Sequence, residues 1–300
     1  MTQNQQLSRK IASSGFRYRV GPFHIQLKSS IPSVAAHLCQ HYSEYPKLDN
    51  SAFIDFYISV DSPVSLRRII KPQVIFSLDD YQPFTPLPLA QAAAQFEWGL
   101  NWCIAGSAHQ YLIIHSAVVE KNGVSIIMPG QPGSGKSTLC AALLFKGWRL
   151  LSDEMTLVSL TDLTIQPVPR PVSLKNQSID IIRNFDSNAK FGPIIEGTSK
   201  GDVSHMEAPI PSIQQQDKTA NCNIVVLPKY NATEKSYIRP KQKAEACMAL
   251  IENAFNFNIL QDQGFEAVTD IIDRTDSYEI GYQNLAQAID AIEQISGDRQ

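Results

Sequence analysis

The sequence predicts an α/β chain in which a phosphate-loop (P-loop) domain, residues 109–300, follows a small α+β module, residues 1–108. Three observations carry this. At "VSIIMPGQPGSGKSTLCAALLFK" an apolar strand, a Gly-rich loop and a helix follow in the order phosphate binding requires. Upstream, short alternating segments surround a single helical one. Between them the Pro-rich "YQPFTPLPLA" marks a shift in composition.

Residues 1 to about 15 are polar. "FRYRVGPFHIQLKSS" alternates like a hairpin, "PSVAAHLCQHYS" has helical apolar spacing, and "AFIDFYISVDS" and "RRIIKPQVIFSL" read as strands. His24, His37 and His41 read as surface or helix-face histidines. After the prolines, "AQAAAQFEWGLNWCIAGSAH" is a long amphipathic helix. "QYLIIHSAVVEKNGVSIIMPG" reads as two apolar strands joined at Lys121-Asn122-Gly123, the second running into the loop. The loop helix stops at Gly147, and "WRLLSDEMTLVSL" is the next strand, placed beside the loop strand.

Further on, "TDLTIQPVPRPVSLKNQSIDIIRNF" holds strand-like pieces and a short helix. Residues 186–222, rich in Gly, Pro and Ser, read as a long loop, either a substrate flap or a linker. "NIVVLPKY" is a buried strand, "KQKAEACMALIENAF" a helix, and "SYEIGYQNLAQAIDAIEQI" a strand and closing helix. Asn256, in "NAFNFNI", reads as a packing residue. No internal repeat is present.

Composition narrows the function classes. The 300 residues are 43% hydrophobic, enough for a substantial core, and the formal net charge of -3 is spread without long runs of one sign. Neither a nucleic-acid groove nor a membrane anchor is expected. Five cysteines without Cys-x-x-Cys or zinc spacing fit reduced thiols. The absence of a signal-like apolar run at Met1 adds to the expectation of a cytoplasmic protein.

Gly130-Gln131-Pro132-Gly133-Ser134-Gly135-Lys136-Ser137 satisfies every defined position of G-x-x-x-x-G-K-[ST], with Thr138 next. Such glycines turn backbone N–H groups toward phosphates, Lys136 supplies charge to the terminal oxygens, and Ser137 suits magnesium. ATP and Mg2+ are therefore the expected cofactors. Asp153 and Glu154 follow soon after. Because neighbouring strand residues face opposite sides, both acids can reach one site only at a strand end or bulge. Together they suggest one metal ligand and one base for an incoming hydroxyl, a kinase arrangement.

"HSAVVEKNGVSIIMPGQPGSGKSTLCAALLFKGWRLLSDE" resembles the core of HPr kinase/phosphorylase, with a matching spacing from His115 through Lys136 to Asp153 and Glu154. "PRPVSLKNQSI" and "GTSKGDVSHMEAP" are closer to the group called HprK-related kinase A. The resemblance implies an HPr kinase-like fold, related to phosphoenolpyruvate carboxykinase, and ATP-dependent phosphorylation of a Ser/Thr hydroxyl on a small protein or peptide. By position, Asp153 is implied as general base and Glu154 as metal ligand with Ser137, roles that can be exchanged. HPr kinases are hexamers, which leaves a homo-oligomer open. Glu154 stands where the family usually has Asp, and "SLKNQSIDII" replaces its Glu-Ile-Arg-Gly motif, so the phosphorylase direction is not implied.

His115 occupies the place of the family histidine near the phosphates, where a titratable group tunes the nucleophile or the transferred phosphoryl. Lys136 joins it and Asp153 in the catalytic set. Arg170 and Lys175 are candidates for phosphate or substrate contacts. So are Lys200 and His205, in a stretch whose glycines at 197 and 201 suit a closing flap. Two other readings accompany the protein kinase: a small-molecule kinase on the same core, and an ATP-gated, non-catalytic binding protein.

Overall fold

The computed structural model describes residues 9–131 and 133–297, so Pro132 of the phosphate loop lies outside the described residues. Among the described residues the chain is mixed α/β, with four sheets. Alternation in the first segment becomes a hairpin, β1 (Phe16–Val20) and β2 (Phe23–Lys28), with Phe16, Tyr18 and Val20 buried on one face. Helix α1 (Pro32–His41) begins with Pro32, whose missing N–H costs nothing in the first turn. It leads to β3 (Phe56–Asp61), parallel to β2, then β4 (Gln73–Leu78) and β5 (Leu87–Pro88), which complete a five-stranded sheet. Helix α2 (Ala92–Ser107) lies on this sheet so closely that a Cβ at Gly99 would collide with the Phe76 ring.

Where the sequence suggests one strand, the chain makes two. β6 (Tyr111–Ile114) ends before His115, and β7 (Ser116–Lys121) starts immediately after it in a different sheet. Asn122 and Gly123, at φ 54° and 84°, form the two-residue turn into β8 (Val124–Pro129). The phosphate loop and α3 (Lys136–Leu144) follow. β9 (Arg149–Ser152) then returns to the sheet of β7, and after a second break β10 (Thr156–Ser159) enters the sheet of β6.

The remaining elements are β11 (Thr164–Gln166), β12 (Val172–Lys175), α4 (Gln177–Phe185), β13 (Ile195–Thr198), β14 (Gly201–Met206), α5 (Ile210–Gln214) and β15 (Ala220–Asn221). They are followed by β16 (Ile224–Tyr230), β17 (Tyr237–Pro240), α6 (Lys243–Glu252), α7 (Phe257–Leu260), α8 (Asp262–Arg274), β18 (Asp276–Tyr282) and α9 (Leu285–Gly297). Residues 186–222 are thus not a long loop. β13 and β14 form a hairpin that joins β12 in a three-stranded sheet, which satisfies the backbone groups a loop would leave to solvent.

The central sheet runs β17-β18-β16-β8-β7-β9. β8, β16 and β18 are parallel, and β9 points the same way as β8 because both pair antiparallel with β7. The loop strand and the acid strand are therefore separated by β7, contrary to the expectation that they adjoin. Their C-terminal ends still share one edge. Period-two burial explains the unbroken apolar runs: Val119, Ile126, Met128 and Val226 face a cluster with α3 and α9, whereas Val118, Ile127 and Val225 face one with α6 and α8. The first cluster continues into Phe16, Tyr18 and Leu38 of the N-terminal segment. Among the described residues no helix is long and apolar enough to cross a membrane.

Candidate functional site

The phosphate loop closes around its own lysine. Gly130, Gly133 and Gly135 have φ of 151°, 89° and 93°, angles that L-residues with a Cβ rarely adopt. Gly135 caps α3, whose N-terminal N–H groups point into the loop. Lys136 is buried, and its ammonium donates to the carbonyls of Gly130 and Gln131, the latter at 3.1 Å. Burial lowers its pKa while Asp153 pulls it back up. The Ser134 hydroxyl is buried without a partner, an oxygen free to receive a ligand. Thr138 donates to Ser178 at 2.8 Å and so ties α3 to α4.

Both acids lie at a break between sheets. β6 pairs with β10 and β7 with β9, so the interruptions at His115 and at Asp153–Met155 face each other. The Ser116 and Thr156 hydroxyls bond across the gap at 2.6 Å, and the β7–β9 register slips between Val118 and Val119. Alternation no longer applies, which frees both acids to reach one site.

Asp153 is only 5% exposed. Its Oδ2 accepts the Ser173 N–H at 3.0 Å, the Ser137 side chain lies close enough to favour its ionised form, and Oδ1 has no partner. Burial, reinforced by the charge of Glu154, pushes its pKa up to about 7 against the pull of Ser173, Ser137 and Lys175. Glu154 is half-buried and accepts from the Asn101 amide.

Lys175 ends β12 close enough to act on Asp153, Lys136 and His115. Lys200, in the β13–β14 turn, lies 5.3 Å over the Trp98 ring, and partial desolvation lowers its pKa while Glu154 raises it. His115 stands beside Phe255 at 5.5 Å, with burial and then Lys136 lowering its pKa. The structure thus gathers Lys136, Ser137, His115, Asp153, Glu154, Lys175 and Lys200.

Arg170 and His205 line the same cleft as the acids, reaching it from a buried layer beneath. Arg170 donates to the Asn101 side chain and to the Glu97 carboxylate and, at 2.9 Å, carbonyl. Glu97 also bonds His37 at 2.6 Å and the Tyr42 hydroxyl at 2.8 Å. Burial alone would raise the Glu97 pKa, but Arg170 and His37 outweigh it and hold the carboxyl well below its usual range. His205 is buried 5.2 Å from His37, and His41 packs 4.5 Å from His37. Of the expected surface or helix-face positions, His37 and His41 take buried helix faces; Glu97 holds His37, while the His41 ring packs against His37 without a hydrogen-bond partner.

Sequence reasoning missed Asn101 and Glu97. A signal was present: Glu97 is the one charged residue in α2, and a lone acid on an apolar helix needs a buried partner. From Glu154 through Asn101 and Arg170 to Glu97, hydrogen bonds link the acid pair to the N-terminal helices. Glu97, Asn101, Asp153, Glu154, Ser173 and His205 all line one cleft. Asn256 is indeed a packing residue, its amide holding the Ile113 N–H and the Tyr111 carbonyl.

No protein-family model matches the chain. Among curated proteins it is similar to the HPr kinase/phosphorylase of Nitrosomonas europaea, at 22% identity over 258 residues, covering 81% of this chain and 74% of that protein. This distant relative supports an HPr kinase-like family and a kinase-type function in general.

Proposed function

We propose that the protein is an ATP-dependent phosphotransferase of the HPr kinase-like type, acting on a Ser/Thr hydroxyl of a small protein or peptide, with Asp153 as general base. The observation that carries this is the unpartnered Oδ1 of Asp153, on a buried carboxyl raised to about 7 beside Ser137 of the Gly-rich loop. A base is most effective when its pKa lies near the working pH. Oδ1 takes the proton of the acceptor hydroxyl as the oxygen attacks the terminal phosphorus, and ADP leaves with the electrons of the broken P–O bond.

Lys136 exchanges its loop carbonyls for phosphate oxygens, and the unpartnered Ser134 hydroxyl suits an oxygen of the same chain. Magnesium suits the donor set, since this hard ion is ordinarily held by one or two carboxylates with phosphate oxygens and Asp153 and Glu154 lie together in one cleft. Ser137 and Glu154 are its proposed ligands here, and when bound it would neutralise charge on the phosphates. Lys175 and Lys200 add positive charge beside the acids, and His115 tunes the same site from across the sheet break. Residues 109–300 are taken as the kinase domain and residues 1–108 as an accessory module.

Labelled ATP with magnesium, added to lysate of cells lacking the gene, tests the reading. A polypeptide labelled by the wild type and not by Asp153→Asn is expected. Label appearing only in a metabolite would move the acceptor to a small molecule, and no transfer at all would overturn the kinase.

A further inference from the structure

The edge of the central sheet that carries the phosphate loop extends in both directions. Towards β9 it ends in the acids. On the opposite side lie β16 and β18, both parallel to β8, so their C-terminal ends open on the same edge. In open parallel sheets that edge is where ligands settle. Beyond it is a cleft of roughly 370 Å³ whose walls include Ser134, Pro228, Tyr230, Asn231, Tyr237 and Tyr282. Ser134 belongs to the phosphate loop, so cleft and loop are continuous.

We propose that this tyrosine-lined cleft binds the nucleoside of the nucleotide whose phosphates occupy the loop. The nucleotide then lies along the sheet edge, with its base over β16 and β18 and its terminal phosphate towards Asp153 and Glu154. The inference rests on the reading of the loop as an ATP site and adds where the base goes and what holds it.

Register brings the two principal aromatics together. Tyr230 and Tyr282 are paired residues at the ends of β16 and β18, with ring centroids 5.9 Å apart. The Tyr282 hydroxyl occupies the space a Cβ on Gly135 would need, and the Tyr230 Cβ is 3.8 Å from the same point. Glycine at 135 thus serves both the left-handed turn and the approach of the tyrosine. Tyr282 is buried whereas Tyr230 is 57% exposed, so Tyr282 forms the floor and Tyr230 is the ring available for stacking. Tyr237 is held in place by donating to Glu279 at 2.8 Å. Pockets for such ligands are typically aromatic with few polar groups, and any base offers a π face. β18 is two strand spacings from β8, about 10 Å, a gap that a ribose and its first phosphate can span.

Calorimetric titration with ADP and with inorganic tripolyphosphate, both with magnesium, separates base from phosphate recognition. Tyr230 is exposed, so Tyr230→Ala should fold. The expected result is at least a roughly tenfold loss of ADP affinity, the scale of one lost stacking contact, with tripolyphosphate affinity changed less than about twofold. Tyr230→Trp should restore ADP binding. Unchanged ADP affinity in Tyr230→Ala, or equal losses for both ligands, would overturn the inference. So would a wild type that binds tripolyphosphate through Lys136 as tightly as ADP, and in that case the phosphate-loop reading survives. If the wild type binds neither ligand, both fall.

Discussion

Replacing Asp153 by Asn should stabilise the unliganded protein at pH 8 while abolishing phosphoryl transfer. Folding buries this carboxyl, leaves Oδ1 unpartnered and moves its pKa from 3.8 to about 7. Because the folded pKa is raised, the group's contribution to stability is fully present below pH 3.8 and is lost as the pH climbs through about 7. At 1.36 kcal/mol per pH unit, holding the ionised carboxylate in the folded site at pH 8 costs about 4 kcal/mol. An amide avoids that cost, still accepts the Ser173 N–H, and presents an NH2 in place of the unpartnered oxygen. Relaxation and water entry halve the gain to about 2 kcal/mol, since buried sites behave as if their dielectric were well above that of dry protein. For a chain of this size that raises Tm by about 3 °C. Calorimetric unfolding from pH 5 to 8.5, without nucleotide or divalent cation, should show the advantage growing with pH. A variant no more stable than wild type at pH 8, or one whose advantage grows towards acid, would refute the picture of a buried, poised base.

The other predictions concern the loop and the buried layer beside it. Lys136→Ala should weaken ATP binding at least about tenfold by calorimetry, the loss of one charge-assisted contact. Arg170→Met strands the Glu97 charge and should cost about 3–5 kcal/mol in urea unfolding, while adding Glu97→Gln recovers part of the loss. His41, driven by burial to a pKa of about 3 among His37, Glu97 and His205, stays neutral in the fold. Its lowered pKa means that stability present above 6.5 is lost as the pH falls, opposite in sign to Asp153. Between pH 7 and 5, therefore, wild type should lose up to about 2 kcal/mol more than His41→Phe in urea titrations.

Much of the site was legible because its parts are local. A phosphate loop needs glycines where φ is positive and a lysine at the helix start, and residues 130–137 carry both within a few positions. The hairpin at Asn122-Gly123 and most strands and helices follow from turn chemistry and periodicity. The resemblance named the acids, but nothing local showed whether both faced one site. "YLIIHSAVV" and "DEMTLVSL" have no Gly or Pro at the break, so the switch between sheets leaves no mark in the pattern.

What the sequence by itself marked out is the Gly-rich loop, the helix behind it and an acid pair a short way along the chain. The tertiary structure alone decided that β7 separates the loop strand from the acid strand, and that two opposed breaks let Asp153 and Glu154 line one cleft. It also decided that Arg170 serves Glu97 in the layer next to the loop, and that residues 186–222 form strands. The physical reason is range. Turns and helix starts are set by the sterics of a few neighbouring residues, whereas strand order and buried charge pairing depend on segments that meet only when the apolar clusters close.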